Sequence, residues 1–231
     1  MMPPRHQSAE PWRQRLYLPN YNVGEAARYA RISPQTVHAW HSKSNDQFLS
    51  RREDRQALSY MQLIEVAVVA KFRDAGVKIP EIRKTREYLS QQLGSEFPFA
   101  EYRFKTDGRS VFMDYDQFIG SVGSDRLLRP SHNGQLAWNL IIGRLDEFEY
   151  EHKGIVIRWR LAGAGSPIII DPRVAFGAPH IEGIPTWTLK GRWDAGENVE
   201  DIADDFGIET HEVRRALEFE GAEIGKGLWK Q

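Results

Sequence analysis

VGEAARYARISPQTVHAW, which spans Val23–Trp40, decides the fold of the first part of this chain. Apolar residues recur in its first half at the spacing that lets them share one buried face of a helix. They are Val23, Ala26, Ala27 and Ala30. Ser33 is a favourable N-cap, and Pro34 suits the first position of a second helix. The stretch therefore predicts two short helices joined by a tight turn.

The second of these helices has an apolar side and a polar side. Val37 and Trp40 repeat at i, i+3 and point back at the first helix. The side chains left on the outside are Gln35, Thr36, His38 and Ala39. A second helix with a polar outer face near its N-terminus is the shape that enters the major groove of DNA. A plain helical hairpin without any DNA contact has the same spacing.

The charges are divided along the chain, which favours the DNA-binding alternative. Residues 1–90 carry 15 Lys and Arg against 9 Asp and Glu, a net charge of +6. Residues 91–231 carry 16 against 23, a net charge of −7. A basic first part suits contact with phosphates, although the whole chain is almost neutral.

The bulk composition limits the class of protein. The 231 residues are enough for two or three small domains or one large one. There is no Cys, which excludes disulfides and Cys-based zinc sites. The first residues lack the apolar core of a signal peptide, and Glu65 interrupts the longest apolar run, Leu63–Ala70. We expect a cytoplasmic protein with no membrane partner.

The pattern along the chain predicts a mainly α fold with small β elements, an α+β protein. We expect five segments: a flexible tail (1–20), a helix-turn-helix domain (21–94), a mixed α/β region (95–166), a helical domain (167–220) and a second tail (221–231). Tyr60–Phe72 is apolar nearly all round, so this helix should be covered on several sides. The next helix opens at Ile79 and stops at Gly94.

The middle region alternates hairpin, helix and strand signals. Asp107-Gly108 lies between two apolar runs, as in a β-hairpin. Apolar residues from Leu136 to Phe148 have helical spacing. Ile155, Ile157, Trp159 and Leu161 alternate with Val156, Arg158 and Arg160, which predicts a strand with the first set buried. The glycine-rich Ala162–Ser166 is typical of a linker.

The last region predicts a short strand, Ile168–Ile170, a Gly- and Pro-rich loop, Phe176–Pro185, and three helices. The helices are Thr188–Ala195, Val199–Phe206 and His211–Phe219, the last of them capped by Thr210. Trp193–Glu220 carries 10 acids and 2 bases, a net charge of −8, and such a surface repels phosphate. A module that binds protein or dimerises and a plain helical domain with a solvated acidic face both fit this pattern.

Signatures of catalysis are missing. None of the seven His residues forms a metal-binding pattern, and there is no nucleophile elbow, Walker loop or dinucleotide fingerprint. His38 and His41 share a helix face and are expected on the surface as polar residues. Asp114 and Asp116 could pair, but no third carboxylate accompanies them. We therefore expect no enzyme, no cofactor and no metal site.

Two parts of the chain resemble known families. VGEAARYARISPQTVHAW and LSYMQLIEVAVVAKFRDAGVKIPEIRK (Leu58–Lys84) resemble the MerR-type helix-turn-helix. Asp171–Glu220 resembles a bacterial family of domains of unknown function found in VapB-type antitoxins. FAEYRFKTDGRSVFMD (Phe99–Asp114) and GQLAWNLI (Gly134–Ile141) are similar to the larger members of that antitoxin group. The resemblance covers the chain from about Tyr21 to Glu220.

The resemblance implies a VapB-type antitoxin of a type II toxin–antitoxin pair, which binds and inhibits a PIN-like ribonuclease and represses its own operon. It implies that Gln35 pairs with adenine and that Thr36 or His38 touches base edges. Phosphate contacts would come from Arg28, Arg31, Lys43, Arg51 and Arg52. The loop over residues 41–57 would be the wing, although it lacks a clear pair of strands. Operator DNA would be bound by a homodimer or a larger toxin–antitoxin complex.

Inhibition of the toxin has two candidate surfaces. The tail after Glu220 combines charge with an aromatic anchor in Lys226, Trp229 and Lys230, which could plug the acidic active site of a PIN-like nuclease. Alternatively the tail is frayed, and the acidic helices face a basic RNA-binding surface of the toxin. A stand-alone MerR-like transcriptional regulator, with a rear module that dimerises or binds a ligand, is the competing function.

Overall fold

The computed structural model describes residues 10–42, 49–50, 57–101, 145–151 and 155–224. The chain divides into two compact units, residues 1–157 (unit 1) and 158–231 (unit 2). Helices and one small antiparallel sheet make up the described residues, so the predicted α+β class is confirmed. The narrower segment boundaries drawn from the sequence remain predictions.

Unit 1 is built mainly from helices. They are α1 (Pro11–Arg15), α2 (Val23–Ala30), α3 (Pro34–His41), α4 (Tyr60–Asp74), α5 (Ile79–Leu93) and α6 (Pro98–Glu101). The bounds of α2 to α5 agree with the predicted helices, because local signals set their ends. Helix α1 lies in the predicted tail and α6 in the predicted mixed region, and neither helix was predicted. Ser59 caps α4, and Gly76 and Gly94 follow α4 and α5 with φ values of 88° and 61°, which glycine adopts without strain.

Helix α4 is the centre of unit 1. Twelve of its fifteen residues are buried, including the predicted all-round apolar run. Helices α2, α5 and α6 pack around it. Glu65 is fully buried on α4, where its carboxylate accepts hydrogen bonds from Arg86 of α5 and, at 3.3 Å, from the Phe99 amide of α6. One buried carboxylate thus joins three helices.

Two ion pairs connect helices α1 and α4 to the residues on either side of the first strand of the sheet. Arg13 of α1 binds both carboxylate oxygens of Glu151, at 2.5 and 2.8 Å. Lys71 of α4 lies 2.6 Å from the Glu147 carboxylate. Phe148 belongs to strand β1 (Phe148–Tyr150) and is buried, so the prediction that it ends an amphipathic helix is wrong. Side-chain spacing alone did not distinguish this short strand from the end of a helix.

The sheet orders its strands β1 to β5 in sequence order. After β1 they are β2 (Val156–Arg160), β3 (Ile169–Ile170), β4 (His180–Ile181) and β5 (Ile184–Pro185). Neighbours from β2 onward are antiparallel, with Trp159 opposite Ile170 and His180 opposite Pro185. The predicted strand and its buried Trp159 and Leu161 are confirmed, but Val156 is buried where the alternation placed Ile155 and Ile157.

Two loop predictions need correction. Ala162–Ser166 connects the paired strands β2 and β3, and the Leu161 amide donates to the Ile168 carbonyl at 2.9 Å, so this segment is a hairpin turn and not a linker. Phe176–Pro185 was expected to be only a loop. It contains the β4–β5 hairpin, whose turn is Glu182-Gly183.

Unit 2 ends in three packed helices, α7 (Thr186–Asp194), α8 (Val199–Phe206) and α9 (Thr210–Phe219). Ile202 and Leu217 are buried, as the amphipathic spacing of α8 and α9 predicts, and Leu189 of α7 is also buried. The N-cap of α9 is Glu209 and not Thr210; its amide donates to the Glu212 carboxylate at 3.1 Å.

Candidate nucleic-acid interface

The first helix of the candidate interface has a fixed start. The Asn22 side chain accepts a hydrogen bond from the Glu25 amide at 2.8 Å, and the Glu25 carboxylate accepts one from the Asn22 amide at 2.8 Å. This reciprocal capping box satisfies two donors that would otherwise lack a partner at the start of α2. Ala26 and Ala27 on its inner face are buried, as predicted.

The turn after α2 is short and closes in a left-handed conformation. Arg31 has φ 57° and ψ 43°, and the next amide, that of Ile32, donates back to the Ala27 carbonyl at 3.0 Å. This is the Schellman arrangement that commonly ends a helix, although glycine usually occupies the left-handed position. Arg31–Ser33 alone connects α2 to α3, which is the turn length of a helix-turn-helix.

Helix α3 begins at Ser33, as its sequence predicts. The Ser33 hydroxyl accepts from the Thr36 amide at 3.1 Å and lies 2.8 Å from the Thr36 hydroxyl. The half-buried Thr36 hydroxyl is therefore engaged in the cap. For the Thr36 hydroxyl to contact a base edge, as predicted, it would have to give up its contact with the Ser33 hydroxyl.

The inner and outer sides of α3 are as the spacing predicts, with one exception. Val37 and Trp40 are buried, and Gln35, His38 and Ala39 are exposed. His41 is the exception, since it is only 4% exposed and its Nδ1 lies 2.8 Å from the Ser50 carbonyl oxygen. We call the exposed side of α3, formed by Gln35, His38 and Ala39, the reading face.

The reading face borders an open groove of about 530 Å³. Its lining residues are Val23, Pro34, Gln35, His38, Ala39 and Ser42. Most of its surface is apolar, and the Gln35 amide and the His38 ring supply the longer polar side chains. The start of α2 therefore forms one wall of a groove whose other wall is the reading face.

Two of the predicted phosphate ligands lie on the described helix-turn-helix. Arg28, in the last turn of α2, and Arg31, in the turn, are both exposed. The Arg28 guanidinium carbon lies 5.1 Å from the ring centroid of Tyr29, which is buried. Lys43, Arg51 and Arg52 lie outside the described residues, as do the remaining residues of 43–48 and 51–56 in the predicted wing and the pair Asp114 and Asp116.

Unit 2 presents a different surface. Phe176 is 71% exposed and Trp187, in the first turn of α7, is 63% exposed. The Thr186 amide donates to the Pro179 carbonyl at 2.9 Å, which brings the segments that carry the two aromatic rings together. Phe176 has a φ of 57°, uncommon for a bulky residue. Backbone strain of this kind is often found at functional positions.

A cluster of charged residues surrounds the buried Asp171, which directly follows strand β3. Asp171 is 1% exposed and accepts hydrogen bonds from Arg158 at 3.1 Å and from Arg173 at 2.8 Å. Burial alone would raise the pKa of Asp171, but the bonds from Arg173 and Arg158 outweigh it and lower the pKa. Burial lowers the pKa of His180, whose Nδ1 accepts from the Gly183 amide at 3.2 Å.

Other kinds of site were also sought in the described part of the chain. Its His, Asp and Glu side chains do not gather into groups of three or more that could hold a metal ion. Its helices are too short or too polar to cross a bilayer. Lys226, Trp229 and Lys230 of the predicted plug lie beyond the last described residue.

Sequence reasoning missed two features of the interface. It left Ala39 and Val23 without a functional role, although they line the groove. The signal was present, because Gln35 and Ala39 are four residues apart and share one side of a helix. The left-handed Arg31 had no such signal, since Arg rarely replaces glycine at that position.

The chain is similar to three known proteins or families. Residues 168–219 match the family described as "Protein of unknown function (DUF433)". A Mycobacterium tuberculosis protein described as "Putative antitoxin VapB45" is 24% identical, in an alignment that covers 88% of this chain and 95% of that protein. The crystal structure of Rv2018 from the same organism has a TM-score of 0.66 and 22% identity, and covers 88% of this chain and 99% of that one. The last similarity shows that the fold is shared.

Proposed function

We propose that this protein is the antitoxin of a type II toxin–antitoxin pair, which binds and inhibits a PIN-like ribonuclease and represses its own operon. The observation that carries the proposal is the reading face, a polar outer face on a capped second helix beside exposed arginines. The 24% identity to a protein described as an antitoxin supports the same function. The protein itself catalyses no reaction in this proposal.

The DNA-binding part of the proposal rests on the division of α3 into two faces. Val37 and Trp40 fix the helix against unit 1, which leaves Gln35 and His38 free to meet base edges. Arg28 and Arg31 supply charge next to that face, and Lys43, Arg51 and Arg52 are proposed to extend it. Phosphate contacts position a protein on the duplex, while base contacts give it sequence preference.

The toxin-binding part of the proposal rests on unit 2. Exposed aromatic residues such as Phe176 and Trp187 are common anchors of protein interfaces. The −8 charge of Trp193–Glu220 repels DNA and suits a partner that binds RNA through a basic surface. The tail residues Lys226, Trp229 and Lys230 are a second candidate contact, as a plug of the acidic nuclease site.

Co-expression with the product of the neighbouring gene tests the proposal. We expect the neighbour to be toxic alone, to lose its toxicity when this protein is present, and to co-purify with it. The full-length protein should also bind duplex DNA from upstream of its own gene, with an affinity that falls as salt rises because phosphate contacts release counterions. Binding of DNA without any effect on the neighbour would establish the stand-alone regulator instead.

The two toxin contacts are separated by substitutions in the full-length chain. Trp187→Ala with Phe176→Ala removes the exposed aromatics of unit 2. Lys226→Ala, Trp229→Ala and Lys230→Ala together remove the plug. We expect the first pair to weaken toxin binding at least tenfold if those rings are anchors. If only the tail variant lost toxin binding, the toxin interface would lie in the tail and not at Phe176 and Trp187.

A further inference from the structure

We infer that the groove beside the reading face holds the 5-methyl group of a thymine, so that the operator carries an A·T pair where α3 meets it. This inference rests on the proposed DNA binding and adds the base that is read. Gln35, which is exposed and lines the groove, offers the donor and acceptor that match adenine N7 and N6. The apolar remainder of the groove has no role in that contact.

The apolar lining of the groove is suited to a methyl group. Val23, Pro34 and Ala39 line the groove, and their side chains are hydrocarbon. In the major groove, thymine is the base with an exposed methyl, and alanine is one of the residues that contacts it. The exposed arginines on α2 and in the turn favour a polyanion as occupant over a neutral ligand.

The spacing along α3 places the two contacts close together on the DNA. Gln35 and Ala39 are four residues apart, which is about 6 Å along the helix axis. Base pairs are separated by about 3.4 Å. The thymine therefore lies in the base pair that Gln35 reads or within about two base pairs of it. Because the groove is open to solvent and its described lining comes from α2, α3 and the residue that follows α3, it suits the edge of a base pair better than an enclosed small molecule.

The test replaces thymine by uracil, which lacks the methyl but pairs in the same way. A site is first selected with the full-length protein from random duplexes, and each thymine of that site is then changed singly. We expect one uracil to lower the affinity about fourfold, the value of one buried methyl group. Uracil at thymines that flank the selected site is the matched control and should change nothing.

A protein variant links the effect to the groove. Ala39→Ser keeps the helix and places a hydroxyl against the methyl, so its preference for thymine over uracil should fall towards one. Thermal unfolding of the variant should occur only slightly below that of the wild type, because Ala39 is exposed and serine is a somewhat poorer helix former than alanine. Replacing the selected adenine by 7-deazaadenine should weaken the wild type and leave Gln35→Ala unchanged.

The outcomes separate this inference from the proposed function. If no sequence is enriched and upstream DNA is not bound, DNA binding itself is wrong. If a site is selected but every uracil is tolerated, or the selected contacts are all G·C, the protein binds DNA and the thymine assignment is overturned. An unchanged preference for thymine in Ala39→Ser would also overturn it.

Discussion

At the scale of single residues, the interface depends on side chains whose local conformations are set by short contacts. The Ser33 hydroxyl lies 2.8 Å from that of Thr36, and Asn22 and Glu25 cap the start of α2. These bonds hold the two helices so that Gln35 and His38 remain exposed. The same bonds explain why Thr36 is a weaker candidate for base contact than its sequence position indicates.

Arg31 combines a strained backbone with an exposed charge, and two substitutions separate them. Arg31→Gly and Arg31→Ala both remove the proposed phosphate contact, so we expect them to weaken DNA binding equally. Only Gly relieves the φ of 57°, so Arg31→Gly should be more stable than Arg31→Ala by about 1 kcal/mol. Urea unfolding and DNA titration measure the two effects. Equal stabilities would show that the left-handed turn carries no strain.

Glu65 predicts a specific dependence of stability on pH. Burial raises its pKa from 4.5 to about 7, against the opposing effect of Arg86. The folded state therefore holds a proton that the unfolded state releases, and this contribution to stability, complete below pH 4.5, is lost as the pH rises through about 7. The loss is on the order of 3 kcal/mol at most.

The control is Glu65→Gln, which keeps the acceptor for Arg86 but cannot ionise. The unfolding free energy of the wild type should decline relative to that of Glu65→Gln across this pH range. His180, whose pKa is lowered by burial, acts in the opposite direction and destabilises the fold as the pH falls below 6.5. Comparing the two proteins cancels that contribution. Parallel pH profiles would contradict the assignment to Glu65.

At the scale of elements, the helices could be predicted and the small sheet only in part. Ser33, Ser59 and Asn198 each cap a helix by a bond to a residue three positions on, so the sequence contains the signal. The β4–β5 hairpin and the strand character of Phe148 depend on pairing with other strands. Segments this short contain too few residues for strand pairing to be recognised from their sequence pattern.

The same reasoning applies to the candidate interface. The exposure of Gln35 and His38 follows from the period of one helix, so it could be predicted. The burial of His41 depends on its contact with the carbonyl of Ser50, nine positions further along the chain. The pairing of Arg13 with Glu151 joins residues 138 positions apart, and local spacing contains no information about it.

The cap of α3 gives a prediction about an element. Ser33→Ala removes the side chain that satisfies the Thr36 amide, so we expect the unfolding free energy to fall by about 1 kcal/mol. DNA affinity should also fall, because the start of α3 carries Gln35. Asn198→Ala is the matched control, since it removes the equivalent cap of α8, a bond of 2.8 Å to the Asp201 amide. It should cost similar stability and leave DNA binding unchanged.

At the scale of the whole molecule, the charges of the sequence agree with a division of labour between two units. Unit 1 carries 22 Lys and Arg against 19 Asp and Glu, a net charge of +3, and unit 2 carries 9 against 13, a net charge of −4. A polyanion is attracted to the first and repelled by the second. In the proposed function, each unit therefore has its own partner.

Two substitutions, one in each unit, test this division. Gln35→Ala should weaken binding to the selected DNA site at least fivefold and leave toxin binding unchanged, because a lost base contact costs on the order of 1 kcal/mol or more. Trp187→Ala should weaken toxin binding and leave DNA binding unchanged. Gln14→Ala and Leu18→Ala are controls, since both residues are exposed and belong neither to the reading face nor to unit 2. Titrations of each variant with DNA and with the co-purified toxin give four affinities. If either substitution lowered both affinities to the same extent, the two partners would share one surface, and the assignment of DNA to unit 1 and toxin to unit 2 would be wrong.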